Sequence, residues 1–278
     1  MSDRWWRVVF AAPSGTADAI AGMIVVATGS GVEELADGAL TTTLESEAAA
    51  RDLIDRVTQQ FPGTSAACSE AASIDWSTRW RDGIVTRRFG RLLLTPSWLP
   101  VTAAAGDVVI TIDPESAFGS GEHGSTRGAL ALVERHVQSG DRVLDLGSGS
   151  GILSIAAVAL GARSAIGFEI DEPSLPVAET NALRNGVDGG VSFIGGDAAD
   201  LAPLAGPVEV VCSNILRTVN VVLLPAIAAA LIPGGLAIFA GMEAPESPLF
   251  EPVLAAGGFE IIDAVIDDGW WSVAARCR

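Results

Sequence analysis

Apolar and polar positions alternate over Trp5-Trp-Arg-Val-Val-Phe10, which predicts a first strand, and Pro13-Ser-Gly-Thr16 then opens an alanine-rich helix to about Thr28. Gly31 to Leu35, the Ala-Asp-Gly38 turn and Ala39 to Leu44 predict a hairpin. From Glu47 to Phe61 the apolar residues Ala50, Leu53, Ile54 and Val57 fall on one helix face, and Pro62-Gly63 ends the run. Ser65 to Ser73 supplies a last strand. The order βαββαβ over residues 1–72 is that of a small ferredoxin-like α+β domain, a fold that hosts many functions. The aromatic signature of an RNA-reading sheet is absent from it.

Residues 73–103 are expected to form a connector. Trp76 and Trp80 stand four apart on one helical face, and Arg87-Arg88-Phe89-Gly90-Arg91 leads into a short strand, Leu92 to Thr95, and then Pro96-Ser97-Trp98. Packing between domains is the expected role of these tryptophans. Over residues 104–278 strands and helices alternate. The strands fall at Val108 to Asp113, Arg142 to Leu146, Ala165 to Phe168, Val191 to Ile194, Val208 to Ser213 and Leu236 to Ala240. Helices fall at Gly128 to Val137, Ile152 to Leu160, Ser174 to Asn185, Val221 to Leu231 and Pro248 to Ala256. A closing hairpin, Phe259 to Ile266 and Trp270 to Ala275, turns at Asp267-Asp268-Gly269. The seven strands from Arg142 onward predict an α/β fold built on a seven-stranded parallel sheet whose last strand is antiparallel.

Length and composition fit that picture: 278 residues suffice for two domains, and 49% hydrophobic with 18% charged residues is globular composition. No apolar run of membrane-spanning length lacks breakers, and no leader pattern opens the chain, so a cytoplasmic protein with no membrane partner is expected, as a monomer. Charge changes the picture more. The net charge is −17, and all 17 basic residues are arginine. Such a chain repels phosphate backbones and suits a basic protein, so no direct nucleic-acid partner is expected. Cys68, Cys212 and Cys277 form no zinc or disulfide pattern, and with His123 and His136 as the only histidines no metal site is expected.

The chemistry concentrates in Arg142-Val-Leu-Asp-Leu-Gly-Ser-Gly-Ser-Gly151. A buried strand breaks into glycines at alternate positions, Gly147, Gly149 and Gly151, and a helix follows, which is how an α/β sheet brings backbone close to a nucleotide-like ligand. A dinucleotide fingerprint would need a third glycine where Ile152 stands, so a nicotinamide oxidoreductase is disfavoured. Acids close three successive strands at Asp145, Glu169 and Asp197, the edge where such sheets bind ligands. Upstream, the polar, glycine-rich stretch 113–126 precedes a helix, with Ser125 or Thr126 as its expected cap. Gly119, Gly121 and Gly124 predict a gate, and Gly121→Val is expected to leave the fold intact while cutting turnover.

The D-x-G-x-G-x-G pattern resembles motif I of the S-adenosylmethionine (AdoMet)-dependent methyltransferases, and the predicted strands match their Rossmann-like sheet. Read with residues 113–126, 167–171 and Ser213-Asn-Ile-Leu216, the chain resembles PrmA, the family of bacterial methyltransferases that modify large-subunit ribosomal protein eleven. The resemblance implies that AdoMet is the cofactor and that Thr126, Gly147, Glu169 and Asn214 contact it. Asp145 and Gly149 belong to the same motif, and Asp197 would take the adenine amino group by analogy with methyltransferases in general. Asn214 would hold the methionine portion or orient the incoming amine, the one catalytic assignment. The substrate implied is a lysine (or N-terminal) amine of a basic protein, a ribosomal protein of the large subunit, with residues 1–72 docking it. Alternatives are another protein lysine, a small-molecule amine, or a non-catalytic AdoMet-binding scaffold. Arg217 departs from the small residue usual in the family and bears on substrate choice.

Overall fold

The computed structural model describes residues 5–13, 15–28, 31–35, 38–71, 83–113 and 117–278, and the chain divides into two compact units, Met1–Asp82 and Gly83–Arg278. Trp76 and Trp80 lie outside the described residues, as do Pro114, Glu115 and Ser116. In the first unit, strands β1 (Trp5–Ala11), β2 (Glu33–Glu34), β3 (Leu40–Leu44) and β4 (Ser65–Ala71) form one antiparallel sheet in the order β2-β3-β1-β4. Val8 and Phe10, two apart on β1, face one core with Ile20 and Ile24 of α1 (Ala17–Thr28) and Ala50, Leu53 and Val57 of α2 (Glu47–Gln60). Ser46 caps α2, its Oγ accepting the Ala49 N–H at 3.2 Å. This is the ferredoxin-like order read from the sequence.

The second unit opens with a three-stranded sheet, β5 (Arg87–Phe89), β6 (Leu92–Thr95) and β7 (Val108–Thr111), in which β6 runs parallel to β7. Leu92, Leu94, Ile110 and Ile112 join the same core as the helices that follow, so residues 87–95 are built into the second unit rather than bridging to it. The reason is apolar area: β6 is buried at every position, and Leu92 and Leu94 pack in one core with Ile110, Ile112 and those helices.

Seven strands then form the main sheet: β8 (Arg142–Leu146), β9 (Ser164–Glu169), β10 (Val191–Gly195), β11 (Val208–Asn214), β12 (Leu231–Glu243), β13 (Phe259–Asp267) and β14 (Trp270–Cys277). Their order is β10-β9-β8-β11-β12-β14-β13, with β14 antiparallel to both neighbours and the pairs from β10 to β12 all parallel. Alternate residues of β8 enter opposite cores. Val143 faces α3 (Gly124–His136) and α4 (Ile152–Ala159), whereas Leu144 and Leu146 face α6 (Ala198–Ala205), α7 (Arg217–Ala230) and α8 (Ser247–Ala256). Burial on both faces is why these strands read as continuous apolar runs. The chain winds outward from β8 through β9 to β10 and then returns to β11 on β8's other side. That reversal opens a crevice at the carboxyl ends of β8 and β11.

Four elements differ from expectation. Helix α7 begins at Arg217, four residues before the expected Val221. Helix α3 begins at Gly124, four residues early, and His123 stands at its N-cap with no side-chain cap bond; Ser125 and Thr126 lie inside the helix. Helix α6 has no counterpart in the sequence reading, which left residues 195–207 without an element; Pro203 within it and its short length hide the pattern. Strand β12 starts at Leu231 and carries Pro233-Gly234-Gly235 as an irregularity in its pairing with β11. Among the described residues no helix is long and apolar enough to cross a membrane, and no cluster of His, Cys, Asp and Glu could hold a metal.

Candidate active site

The glycine turn is shaped by where its backbone must go. Gly147, Gly149 and Gly151 have φ of 73°, 51° and 78°, a region that penalises any Cβ. A Cβ on Gly149 would stand 2.5 Å from the Phe118 carbonyl oxygen, and one on Gly151 would stand 2.6 Å from the Phe193 ring. The N–H groups of Gly147 and Ser148 both donate to the Phe168 carbonyl, at 2.8 and 3.1 Å, which lays the turn across the end of β9. Glu169 completes that junction. Its Oε2 accepts the Gly149 N–H at 2.8 Å and its Oε1 accepts the Asp171 N–H at 3.0 Å. The half-buried carboxylate is thus held beside the glycines, with lone pairs left for a ligand's hydroxyls.

Asp145 sits beneath the turn rather than at its surface. It is 1% exposed, and Oδ2 accepts both the N–H and the hydroxyl of Ser154, at 3.1 and 2.8 Å. It therefore ties β8 to the first turn of α4. Burial pushes its carboxyl up to about 6, against the lowering effect of the Ser154 bonds.

Across the crevice, Asn214 ends β11. Its Nδ2 donates to Thr126 Oγ1 at 3.3 Å, and its Oδ1 is buried without a hydrogen-bond partner. Thr126 is itself fully buried in the first turn of α3. The bend after Asn214 is braced by Asn220, which accepts the Ser213 hydroxyl at 2.6 Å and donates to the carbonyls of Ile215 and Ala240. A buried acceptor costs free energy until a donor reaches it, roughly 1–3 kcal/mol. Asn214 Oδ1 is thus an acceptor with no donor supplied by the fold around it, among the described residues.

Asp197 has a local task that sequence reasoning did not assign. It is the N-cap of α6, and its Oδ1 accepts the Ala199 N–H at 2.8 Å. The segment Phe118 to His123 lies directly on the glycine turn: Ser150 donates its N–H to the Phe118 carbonyl at 2.9 Å and its hydroxyl to the Gly119 carbonyl at 2.8 Å. Gly121 has φ 83°, and a Cβ there would stand 2.0 Å from Leu94 Cδ2. That bears on the expectation for Gly121→Val: a side chain there is strained by the positive φ and would have to push Leu94 aside, so stability is expected to fall along with turnover. Glu122 accepts from Arg87 and from the Val85 N–H, which leaves it committed as a structural anchor. His123 hydrogen-bonds Ser125 Oγ through Nδ1 at 2.7 Å; burial, then the Arg127 charge, hold its ring below the usual histidine range. Arg217 donates to Glu246 at 2.9 Å, so its charge is balanced within the fold.

One organising residue gave no motif signal. Asn181, fully buried on α5 (Leu175–Arg184), donates to the carbonyls of Asp113 and Ser150 and accepts the Asp113 N–H, joining the upstream segment to the glycine turn. A lone amide at the helical spacing of buried Ala178 and Ala182 was the available sign.

A doubly wound sheet with one antiparallel strand near its edge, a glycine turn leaving β8 and an acid closing β9 define the class of AdoMet-dependent methyltransferases. Within that class, residues 22–278 match the family model described as ribosomal protein L11 methyltransferase (PrmA), and the chain belongs to that family. The ribosomal protein L11 methyltransferase of Geobacter sulfurreducens is 35% identical, covering 98% of this chain and 97% of that one. Its counterpart from Pelotomaculum thermopropionicum is 36% identical over 246 residues, 87% of this chain and 77% of that one. Among solved structures, a ribosomal protein L11 methylase from Lactobacillus delbrueckii subsp. bulgaricus superposes with a TM-score of 0.62 at 31% identity, covering 69% of this chain and 99% of that one. The chain is an AdoMet-dependent methyltransferase, and the half-buried Glu169 carboxylate held beside the glycine turn, with lone pairs left for ribose hydroxyls, fits that cofactor.

Proposed function

We propose that this enzyme methylates lysine ε-amines, and secondarily N-terminal amines, of a large-subunit ribosomal protein, the acceptor named for its relatives being ribosomal protein L11. AdoMet when bound supplies a methyl group already activated on a sulfonium. The chain's residues would hold it and align the acceptor. Gly147 and Gly149 give backbone access, Glu169 accepts from ribose hydroxyls, and Thr126 and Asn214 face the methionine end. Asp197 takes the adenine amino group in addition to capping α6. Asp145 acts from below, holding the turn through Ser154 rather than touching the cofactor.

A lysine amine has a solution pKa near ~10.4 and must be neutral to attack. An uncharged amine still has N–H groups to donate, and the observation that carries this reading is the buried Asn214 Oδ1 awaiting such a donor at the switch point. The net charge of −17 suits a basic acceptor. A ribosomal acceptor would place the enzyme in the cytoplasm, where we take it to act as a monomer.

Incubation with labelled AdoMet and a ribosomal-protein extract tests the substrate: a single labelled band at the size of ribosomal protein L11 is expected. Label on unrelated proteins, or on small amines only, would replace this acceptor. Glu169→Ala should weaken AdoMet binding by roughly 1.5–3 kcal/mol for each charge-assisted bond lost. Calorimetry showing equal affinity in that variant would remove Glu169 from the site.

A further inference from the structure

The segment that carries Phe118 to Thr126 is fastened from both sides. On one side Glu122 accepts the Val85 N–H at 3.1 Å and the Arg87 Nε–H at 3.1 Å, which ties it to the start of the three-stranded sheet. On the other side stands the hairpin between β13 and β14. Arg127 donates bidentately to Asp267, Nε to Oδ2 at 2.9 Å and Nη2 to Oδ1 at 2.5 Å, while its Nη1 donates to the Glu122 carbonyl. Asp268 adds a second carboxylate at 3.8 Å. The His123 ring packs on Trp270 with centroids 4.2 Å apart, and Gly124 lies so close that a Cβ would stand 2.4 Å from the Asp267 carbonyl oxygen.

Arg127 is where the two sides meet. One guanidinium fork engages the hairpin, its remaining nitrogen engages the backbone of the segment, and its own backbone adjoins Thr126. The fork is planar and its donors point in fixed directions, so three bonds from it set an orientation and not merely a distance. The side chain is 13% exposed, which limits screening by salt. Asp267 is held below the usual carboxylate range by the Arg127 bond, so the pair is charged at neutral pH.

We propose that Arg127 is a positioning residue for methyl transfer: clamped to Asp267 and to the Glu122 carbonyl, it holds segment 118–126 so that the Thr126 hydroxyl meets Asn214 at the crevice. The hairpin turn thereby becomes part of the active-site support, although it lies about 140 residues from Thr126 in sequence. The inference rests on the placement of AdoMet beside Thr126 and Asn214.

Two variants and two readouts test it. Arg127→Gln and Asp267→Asn should each speed amide exchange of residues 118–126 in the ligand-free enzyme about tenfold or more, with β8 and β11 as protected as in the wild type. The KM for AdoMet should rise about tenfold in both, the double variant should be no worse than the worse single one, and Arg127→Lys should restore only part of the loss. Unchanged exchange and KM in Asp267→Asn, an isosteric change at the partly exposed last residue of β13, would overturn the proposal even if Arg127→Gln failed to fold. So would protection lost evenly across the second unit, which marks a general structural role. Wild-type calorimetry without AdoMet binding would sink the cofactor placement separately, since the exchange readout needs no ligand.

Discussion

At the scale of single residues, the buried carboxyl of Asp145 ties stability to pH. Its folded value of about 6 lies above the 3.8 of an unperturbed aspartate. Between pH ~4 and ~6 the folded state therefore binds more protons at this site than the unfolded one. Stability falls as pH rises through that window and levels off above it, by about 3 kcal/mol at most. Asp145→Asn should remove that slope, because an amide can still accept from Ser154 and carries no charge. Urea midpoints for both proteins at pH 4, 5, 6, 7 and 8 decide this, and parallel profiles would contradict it. Glu209 has the opposite sign: bonds from Arg142 hold it down to about 2, so its contribution is present above its unfolded value and is lost as pH falls toward 2. At Gly121, valine would have to adopt φ 83° and displace Leu94, so Gly121→Val should cost about 3 kcal/mol, seen as a lower denaturation midpoint.

Elements carry double duty at the strand ends, where one side chain both caps a helix and faces the ligand edge. Asp197 can be divided into its two roles because asparagine caps as well as aspartate does. Asp197→Ala should lose about 1 kcal/mol of stability with the α6 cap, whereas Asp197→Asn should not. If Asp197 also binds the adenine amino group, the alanine variant should weaken AdoMet affinity by more than its small stability loss explains. Calorimetry that finds both variants equal to wild type would leave capping as the whole role. Helix α3 makes the same point differently. It begins without a side-chain cap, and its start is fixed by packing against Asp267 and Trp270 instead.

For the whole molecule, the division of labour follows from which core each strand belongs to. A fragment starting near Val101 would strip away Leu92 and Leu94, which are buried in the core of the second unit, and should not fold cleanly. Starting at Gly83 keeps that core whole. Fragment 83–278 should bind AdoMet with near wild-type affinity and fail to methylate the intact ribosomal acceptor, because the proposed docking domain is gone. Full activity on that acceptor would contradict the assignment of the first unit to docking.

Features set by neighbours in sequence were legible without coordinates. Alternation marked the strands of both units, glycine at alternate positions marked the turn after β8, and polar residues at strand ends marked the edge of the sheet. Each depends on local geometry: a strand has period two, a positive φ excludes a Cβ, and a parallel sheet offers its carboxyl edge. Only the tertiary structure decided what each polar atom is for. Asp145 turned inward to Ser154, Asp197 took on a cap, and Glu122 was spent on Arg87 and Val85, because hydrogen bonds are satisfied by whichever partner the fold brings within about 3 Å. The start of α3 and the place of residues 87–95 were likewise settled by segments far away in sequence. Packing and charge pairing act through space, and no local pattern encodes a partner such as Asp267 for Arg127.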